Sequence, residues 1–290
     1  MHRLLFVAVI AMLVTSEEAQ AREGRAGGRL LLTNGVTTVD GSTGGGIATW
    51  ALIAGNETKD GVGGSAHISK ALLPDFDLTI YGATIGIHDR VELSYAHQRF
   101  DTRKAGAALG LGRGFLFGQD VYGAKLRVIG DAVWDQDRWL PQVSVGVQHR
   151  VADKAPVLAA VGARRHVDTD FYVAATKVVL AQGLVLNGTA RLTRANQFGL
   201  LGFGGDRRAK RSVQFEGSVG KMLARNFLIG AEYRTKPDNL GFAEENDAFD
   251  LFAAWAVHRH LTVTAAYVDL GNIATVRKQR GAFLSLQAAF

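Results

Sequence analysis

Gly281-Ala-Phe-Leu-Ser-Leu-Gln-Ala-Ala-Phe290 closes the chain, and its reading decides the fold. Ala282, Leu284, Leu286, Ala288 and Phe290 share one face. Gly281, Phe283, Ser285, Gln287 and Ala289 share the other. Period two is the mark of a β-strand. The same alternation runs back through the chain. In Phe227–Arg234, Glu232 and Arg234 oppose Phe227, Ile229, Ala231 and Tyr233. In Val213–Met222, Gln214, Glu216 and Ser218 oppose Val213, Phe215 and Val219. In Leu184–Arg194, Asn187, Thr189 and Arg191 oppose Leu184, Leu186, Ala190 and Leu192. In Val121–Gly130, Lys125 and Arg127 oppose Tyr122, Ala124, Leu126 and Val128. In Arg90–Gln98, Glu92, Ser94 and Gln98 oppose Val91, Leu93 and Tyr95.

Alternation alone does not separate a soluble sandwich from a membrane barrel. Strand length and turn spacing do. The strands run about 9–11 residues, the length a tilted strand needs to cross the hydrocarbon of a bilayer. The connections 271–280, 237–247, 195–212, 151–170 and 101–120 are long. Those at His258–Arg259, Ala224–Arg225, Gln182–Gly183 and 87–89 are short, and 132–138 is moderate. Long and short turns alternate as an outer-membrane barrel requires, with the long ones outside. Trp50, Tyr95, Trp139, Tyr172, Tyr233, Trp255 and Tyr267 sit near strand ends, as residues of interfacial girdles do; Trp134 is placed in a turn. The terminal Phe290 is expected to act as an assembly signal toward the barrel-insertion machinery. The fold expected is all-β, a transmembrane antiparallel up-and-down barrel of 12–14 strands.

Twelve strands are read from about residue 62 onward. Two weaker ones, about 28–36 and 46–54, would make fourteen. The Gly-rich segment 22–61 is read as those two strands or as a plug inside a twelve-stranded barrel over 62–290, with a slight preference for strands. At the start of the chain, Arg3, the apolar run Leu4–Val14 and Ala19-Gln20-Ala21 form a secretory signal peptide, residues 1–21, followed by export to the bacterial outer membrane. The run is too short for a spanning helix. Cleavage removes Arg3, Glu17 and Glu18 and leaves 32 basic and 25 acidic residues, a formal net of +7. The chain has no Cys, which excludes disulfides and thiolate metal sites. No Pro/Ser linker, heptad or solenoid repeat divides it.

Five stretches of the C-terminal half point to one family. They are Thr169-Asp-Phe-Tyr-Val-Ala-Ala-Thr-Lys177, Ala195-Asn-Gln-Phe-Gly-Leu-Leu-Gly-Phe-Gly-Gly205, Glu232-Tyr-Arg-Thr-Lys-Pro-Asp-Asn-Leu-Gly241, Ala265-Ala-Tyr-Val-Asp-Leu-Gly-Asn-Ile-Ala274 and Gln279-Arg-Gly-Ala-Phe-Leu-Ser-Leu-Gln287. With Gly28-Arg-Leu-Leu-Leu-Thr33, they make the chain resemble the bacterial family called domain of unknown function 3034. The resemblance implies an outer-membrane β-barrel and no particular activity.

The chemistry-bearing residues read as follows. Gly110–Gly114 and Gly199–Gly205 lack the strand–turn–helix setting of a dinucleotide fingerprint and are taken as loops. Asp238, Glu244, Glu245, Asp247 and Asp250 match no calcium-loop spacing and are taken as one solvated acidic loop. Arg207, Arg208, Lys210 and Arg211 form a basic run. It suits lipopolysaccharide phosphates, with solubility or pairing to the acidic loop preferred. His258 and His260 flank a turn and fall short of a metal set. Ser94 and His97 lie three apart on a strand, so they face opposite ways and make no hydrolase pair. No catalytic residue, metal or cofactor is expected, and no nucleic-acid partner. The strongest signal is charge on the inward strand faces: Glu92, Lys125, Arg127, Arg191, Glu216, Glu232 and Arg234. Such groups need water or partners.

The expectation is therefore a non-enzymatic, porin-like barrel that passes small solutes through a polar lumen. The alternatives are a plugged transporter of apolar molecules, or a structural or adhesive barrel whose loops bind lipopolysaccharide or a partner.

Overall fold

The computed structural model describes residues 30–290 except 34 and 58, so the expected signal peptide at 1–21 lies outside the described residues. Twelve strands form one closed barrel: β3 (Val62–Leu72), β4 (Asp77–Ile87), β5 (Val91–Asp101), β6 (Leu116–Ile129), β7 (Gln142–Ala152), β8 (Val167–Val179), β9 (Leu184–Thr193), β10 (Ser212–Ala224), β11 (Phe227–Arg234), β12 (Ala248–His258), β13 (Leu261–Asp269) and β14 (Arg280–Ala289). Each pairs antiparallel with its neighbours in the chain. The terminal strand β14 pairs with β3, opposing Ser285 to Ser69 and Leu286 to Ile68, which closes the ring. Two short strands that precede them, β1 (Val36–Thr37) and β2 (Thr43–Gly44), pair only with each other.

The barrel forms because each strand has an apolar face with nothing of its own chain to cover it. Leu284, Leu286, Ile85, Leu93, Val147, Phe171, Val173, Phe215, Leu251 and Trp255 all point outward and are exposed. An apolar belt around the whole wall far exceeds the patches a soluble monomer shows. In lipid it is at its proper solvent, and closure leaves no unpaired sheet edge. Among the described residues no helix is long and apolar enough to span a membrane. The protein is a membrane-spanning β-barrel of the outer-membrane type.

The connections on one side are long: 102–115, 153–166, 194–211, 235–247 and 270–279, with a short 73–76 among them. Two short helices lie in these loops, α1 (Ala105–Ala108) and α2 (Ala155–Ala160). The other end carries 88–90, 180–183, 225–226 and 259–260, with one larger turn, 130–141. Strand β6 begins at Leu116 and β8 at Val167, so alternation continues into stretches read as loop from the sequence.

The fourteen-strand count is not what the structure shows. Residues 35–55 run through the inside of the barrel and are almost entirely buried. The reason is in the residues. Thr43-Gly-Gly-Gly46 offers no apolar side chains to lipid, and the turns at Gly35 and Gly41 need positive φ, 72° and 85°. The segment folds back on itself by main-chain bonds from Val39 to Gly46, Gly45 to Ala48 and Trp50 to Thr43. We refer to it as the plug. Two of the expected girdle residues follow it inward: Trp50 is part of the plug, and Tyr172 faces the lumen with Arg191 stacked over its ring at 4.9 Å. Tyr233, Trp255 and Tyr267 are outward, and Trp134 and Trp139 are exposed in the turn 130–141.

The interior has three layers. An apolar cluster fills the long-loop end, with Leu78, Phe100, Phe117, Val268 and Phe283 from the wall against Leu158, Leu200, Leu201 and Leu240 from the loops. A second apolar cluster lies at the short-turn end, where Leu32, Trp50 and Leu52 of the N-terminal segment meet Val178, Val185, Leu228 and Ala254. The charged residues lie between them.

Candidate functional site: the occupied lumen

Strand alternation aims Glu92, Lys125, Arg127, Arg191, Glu216, Glu232 and Arg234 inward, as their neighbours' outward exposure shows. Each has polar partners. Glu92 receives the Thr43 amide (3.1 Å), the Thr43 hydroxyl (2.7 Å) and the Ala54 amide (3.0 Å), and it pairs with Lys125 at 3.0 Å. Lys125 donates in turn to the Leu52 carbonyl at 2.8 Å. Glu232 accepts the amides of Ile47 (2.8 Å) and Ala48 (3.2 Å), the Trp50 indole N–H (3.2 Å) and the Ser218 hydroxyl (2.6 Å). Glu216 accepts the Thr49 amide at 2.7 Å. So three wall carboxylates hold the plug by its own main-chain donors, and Lys125 holds two of its carbonyls, those of Leu52 and Thr43. Such charge-assisted bonds are the strong ones.

Above these lies a cluster of guanidinium groups. Arg191 pairs with Glu216 at 2.5 Å and Arg150 with Asp170 at 3.0 Å. Arg234 approaches Glu216 at 3.4 Å. The plug adds Asp40, whose Oδ1 accepts from Arg150 Nη1 and whose Oδ2 accepts from Arg234 Nη1, both at 2.8 Å. Phe198 covers this pair from the loop 194–211: its carbonyl accepts from Arg150 at 2.8 Å and its ring lies 4.4 Å from the Arg234 guanidinium. Gln197 and Phe198 both have positive φ, 46° and 57°, a costly geometry for residues with side chains. Arg150, Asp170 and Asp40 are site residues that the sequence reading missed. Continuing the alternation through Gln148-His-Arg150 and Asp168-Thr-Asp170 would have placed the first two inward.

Arg127 sits lower, bonded to Asp89 at 2.7 Å and Asp131 at 3.4 Å. Burial would raise the Asp131 carboxyl, but the Trp134 and Val133 amides and the charges of Arg127 and Lys59 outweigh it and hold it below its ordinary value. Asp250 lies opposite Glu232 in register, buried, with no partner for Oδ1.

Asp250 therefore does not belong to a solvated acidic loop, and neither does Glu245. Glu245 is buried against Lys236 at 3.3 Å; burial pushes its carboxyl up and the Lys236 ammonium down. Asp238 pairs with Arg207, and Asp247 accepts from the Tyr233 hydroxyl. In the basic run, Arg211 bonds Asp168 at 2.5 Å, while Arg208 and Lys210 are exposed. Ser94 faces the lumen and His97 faces outward, where it meets Asp120 at 2.9 Å. The His258 and His260 rings lie 5.6 Å apart, tilted by 37°, and among the described residues no group of three metal-ligating side chains forms. Phe290 pairs with Gly64 through both main-chain groups, at 2.9 Å each.

The family model described as a protein of unknown function, DUF3034, matches residues 33–287. The chain belongs to this family. No curated protein sequence matches it. Among solved structures, this chain's barrel is similar to the KdgM porin, with a TM-score of 0.52 at 9% identity, covering 78% of this chain and 99% of that one. Others are the NanC porin (TM-score 0.47, 9% identity, 78% and 98% covered) and the COG4313 outer membrane channel from Pseudomonas putida F1 (0.45, 12%, 81% and 97%). At these identities the likeness is one of fold.

Proposed function

We propose that this protein is a gated outer-membrane channel whose N-terminal segment is the gate. Small polar solutes cross through the lumen when residues 35–55 leave it. One observation carries the reading. The middle of the inner wall is polar and charged, and beside its wall-to-wall ion pairs three of its carboxylates are bonded by a segment that is not part of the wall: Thr43, Ile47, Ala48, Thr49 and Ala54 donate to Glu92, Glu216 and Glu232. A wall built to be filled permanently is better filled with apolar side chains, because buried charges gain little over them. A charged wall bonded to a removable partner becomes a water-lined passage once that partner goes. The fold likeness to porins is consistent with this reading.

The absence of cysteine from the chain makes a direct test available. The Ser144 hydroxyl donates to the Ala51 carbonyl at 2.6 Å, so Ala51→Cys with Ser144→Cys sets one thiol on the plug and one on the wall beside it, to be joined by oxidation. In planar bilayers the reduced protein should show openings that vanish on oxidation and return with reductant. In the open state, Lys125→Glu with Arg127→Glu should move the reversal potential toward cation preference. Openings that persist unchanged in the oxidised protein would refute the gate.

A further inference from the structure

Asp40 occupies a site that would suit a ligand from outside. The wall brings three guanidinium groups together, Arg150, Arg191 and Arg234, against two wall carboxylates, Asp170 and Glu216. The third carboxylate comes from the plug. Each of its oxygens takes one Nη1 donor at 2.8 Å, so Arg150 and Arg234 grip the carboxylate between them. Without Asp40 the cluster carries one positive charge with no partner, in a place fully shielded from water. What fits there is another carboxylate.

The surroundings place this site at the boundary between plug and outer loops. Phe198 lies over it, held in a left-handed backbone by the loop 194–211. Beside it is a small cavity of about 30 Å³ lined in part by Phe198 and Leu200 of that loop and by Val39, Gly46 and Ile47 of the plug. The loop and the plug are thus imperfectly packed where they meet, next to the clamp. On the plug side, the chain leaves Asp40 through Gly41, whose φ of 85° makes a tight turn.

We propose that the Arg150–Arg234 clamp is a binding site for small carboxylates, and that Asp40 is its internal occupant. A carboxylate entering under Phe198 takes the two Nη1 donors, Asp40 is expelled, and the plug loses its only charged side chain in the cluster. This rests on the gate reading and adds to it the class of solute that opens the gate.

The experiment uses the full chain carrying Ser42→Cys. Ser42 is a buried plug residue two positions from Asp40, and the change supplies the chain's single thiol. Folding is checked by heat-shifted mobility, and the rate of maleimide labelling is read with succinate, acetate or chloride at equal ionic strength. Succinate and acetate should raise the rate, by about tenfold at ten times the dissociation constant, and chloride should not. Adding Asp40→Asn should give fast labelling without ligand, and calorimetry on that variant should detect succinate binding that Arg150→Gln removes. Equal rates in succinate and chloride, with no succinate binding to the Asp40→Asn protein, would overturn the proposal and leave Asp40 a structural ion pair. Carboxylate-dependent labelling in a protein that never conducts would instead refute the channel and leave the carboxylate site standing.

Discussion

Trp50 shows how one side chain can join two structures that the sequence keeps far apart. Its ring belongs to the apolar layer at the short-turn end, while its indole N–H reaches Ser218 at 2.8 Å and Glu232 at 3.2 Å. Trp50→Phe keeps most of the packing and deletes both bonds. The expected loss is about 1–3 kcal/mol of plug seating, read as faster labelling of a thiol at position 42 with no change in the wall's heat-shifted mobility. Asp131 acts at the same end, in the turn 130–141. Its folded carboxyl lies below the unfolded value of about 3.9, so its contribution is complete above that pH and is lost as the pH falls through the lower folded value. Amide exchange in the turn 130–141 should therefore stay slow at pH 5 and quicken only below about pH 4. Asp131→Asn should show fast exchange at both.

At the level of elements, the plug fits because glycine lets main chains approach. A Cβ on Gly45 would stand 2.0 Å from Glu232 Oε1, and one on Gly86 of β4 would stand 2.0 Å from the Ala54 carbonyl. Gly86→Val is expected to weaken plug seating by about 1–3 kcal/mol and to raise the open time in bilayers, while the barrel still assembles. The strands themselves were readable, since each repeats apolar and polar residues with period two and its length matches a bilayer. The plug was not. Residues 30–61 have no period, and their shape depends on contacts with strands up to 233 residues away, as between Asn56 and Ala289. The aromatic signal held at Tyr233, Trp255 and Tyr267 and failed at Trp50 and Tyr172 for the same reason. An interfacial tryptophan and a buried one look alike in sequence, and Trp50 is placed by its partners. Inward charge was readable at Glu92, Lys125 and Arg191 because it follows from alternation; the identity of the partners did not.

For the molecule as a whole, the layered interior separates two cohesive units that share one charged layer. Arg191 joins both, through Glu216 and Gln148 of the wall and the Thr49 hydroxyl of the plug. Arg191→Gln leaves buried carboxylates uncompensated and should cost about 3–5 kcal/mol; in urea, plug exposure and loss of β-structure should both move to lower concentration. The tether between plug and wall also has a bearing on biogenesis. The Asn56 amide bonds the Phe290 carbonyl at 3.1 Å, and its side chain bonds the carbonyls of Arg259 (2.9 Å) and Ala289 (3.2 Å). These acceptors stand beside β3 only after the last strand has met the first. The anchor point is thus completed at the end of the last barrel strand, and the plug is seated after closure. A barrel stalled before closure stays unsealed and distinguishable from a finished one, so the same contact that blocks the lumen also certifies that the ring is whole.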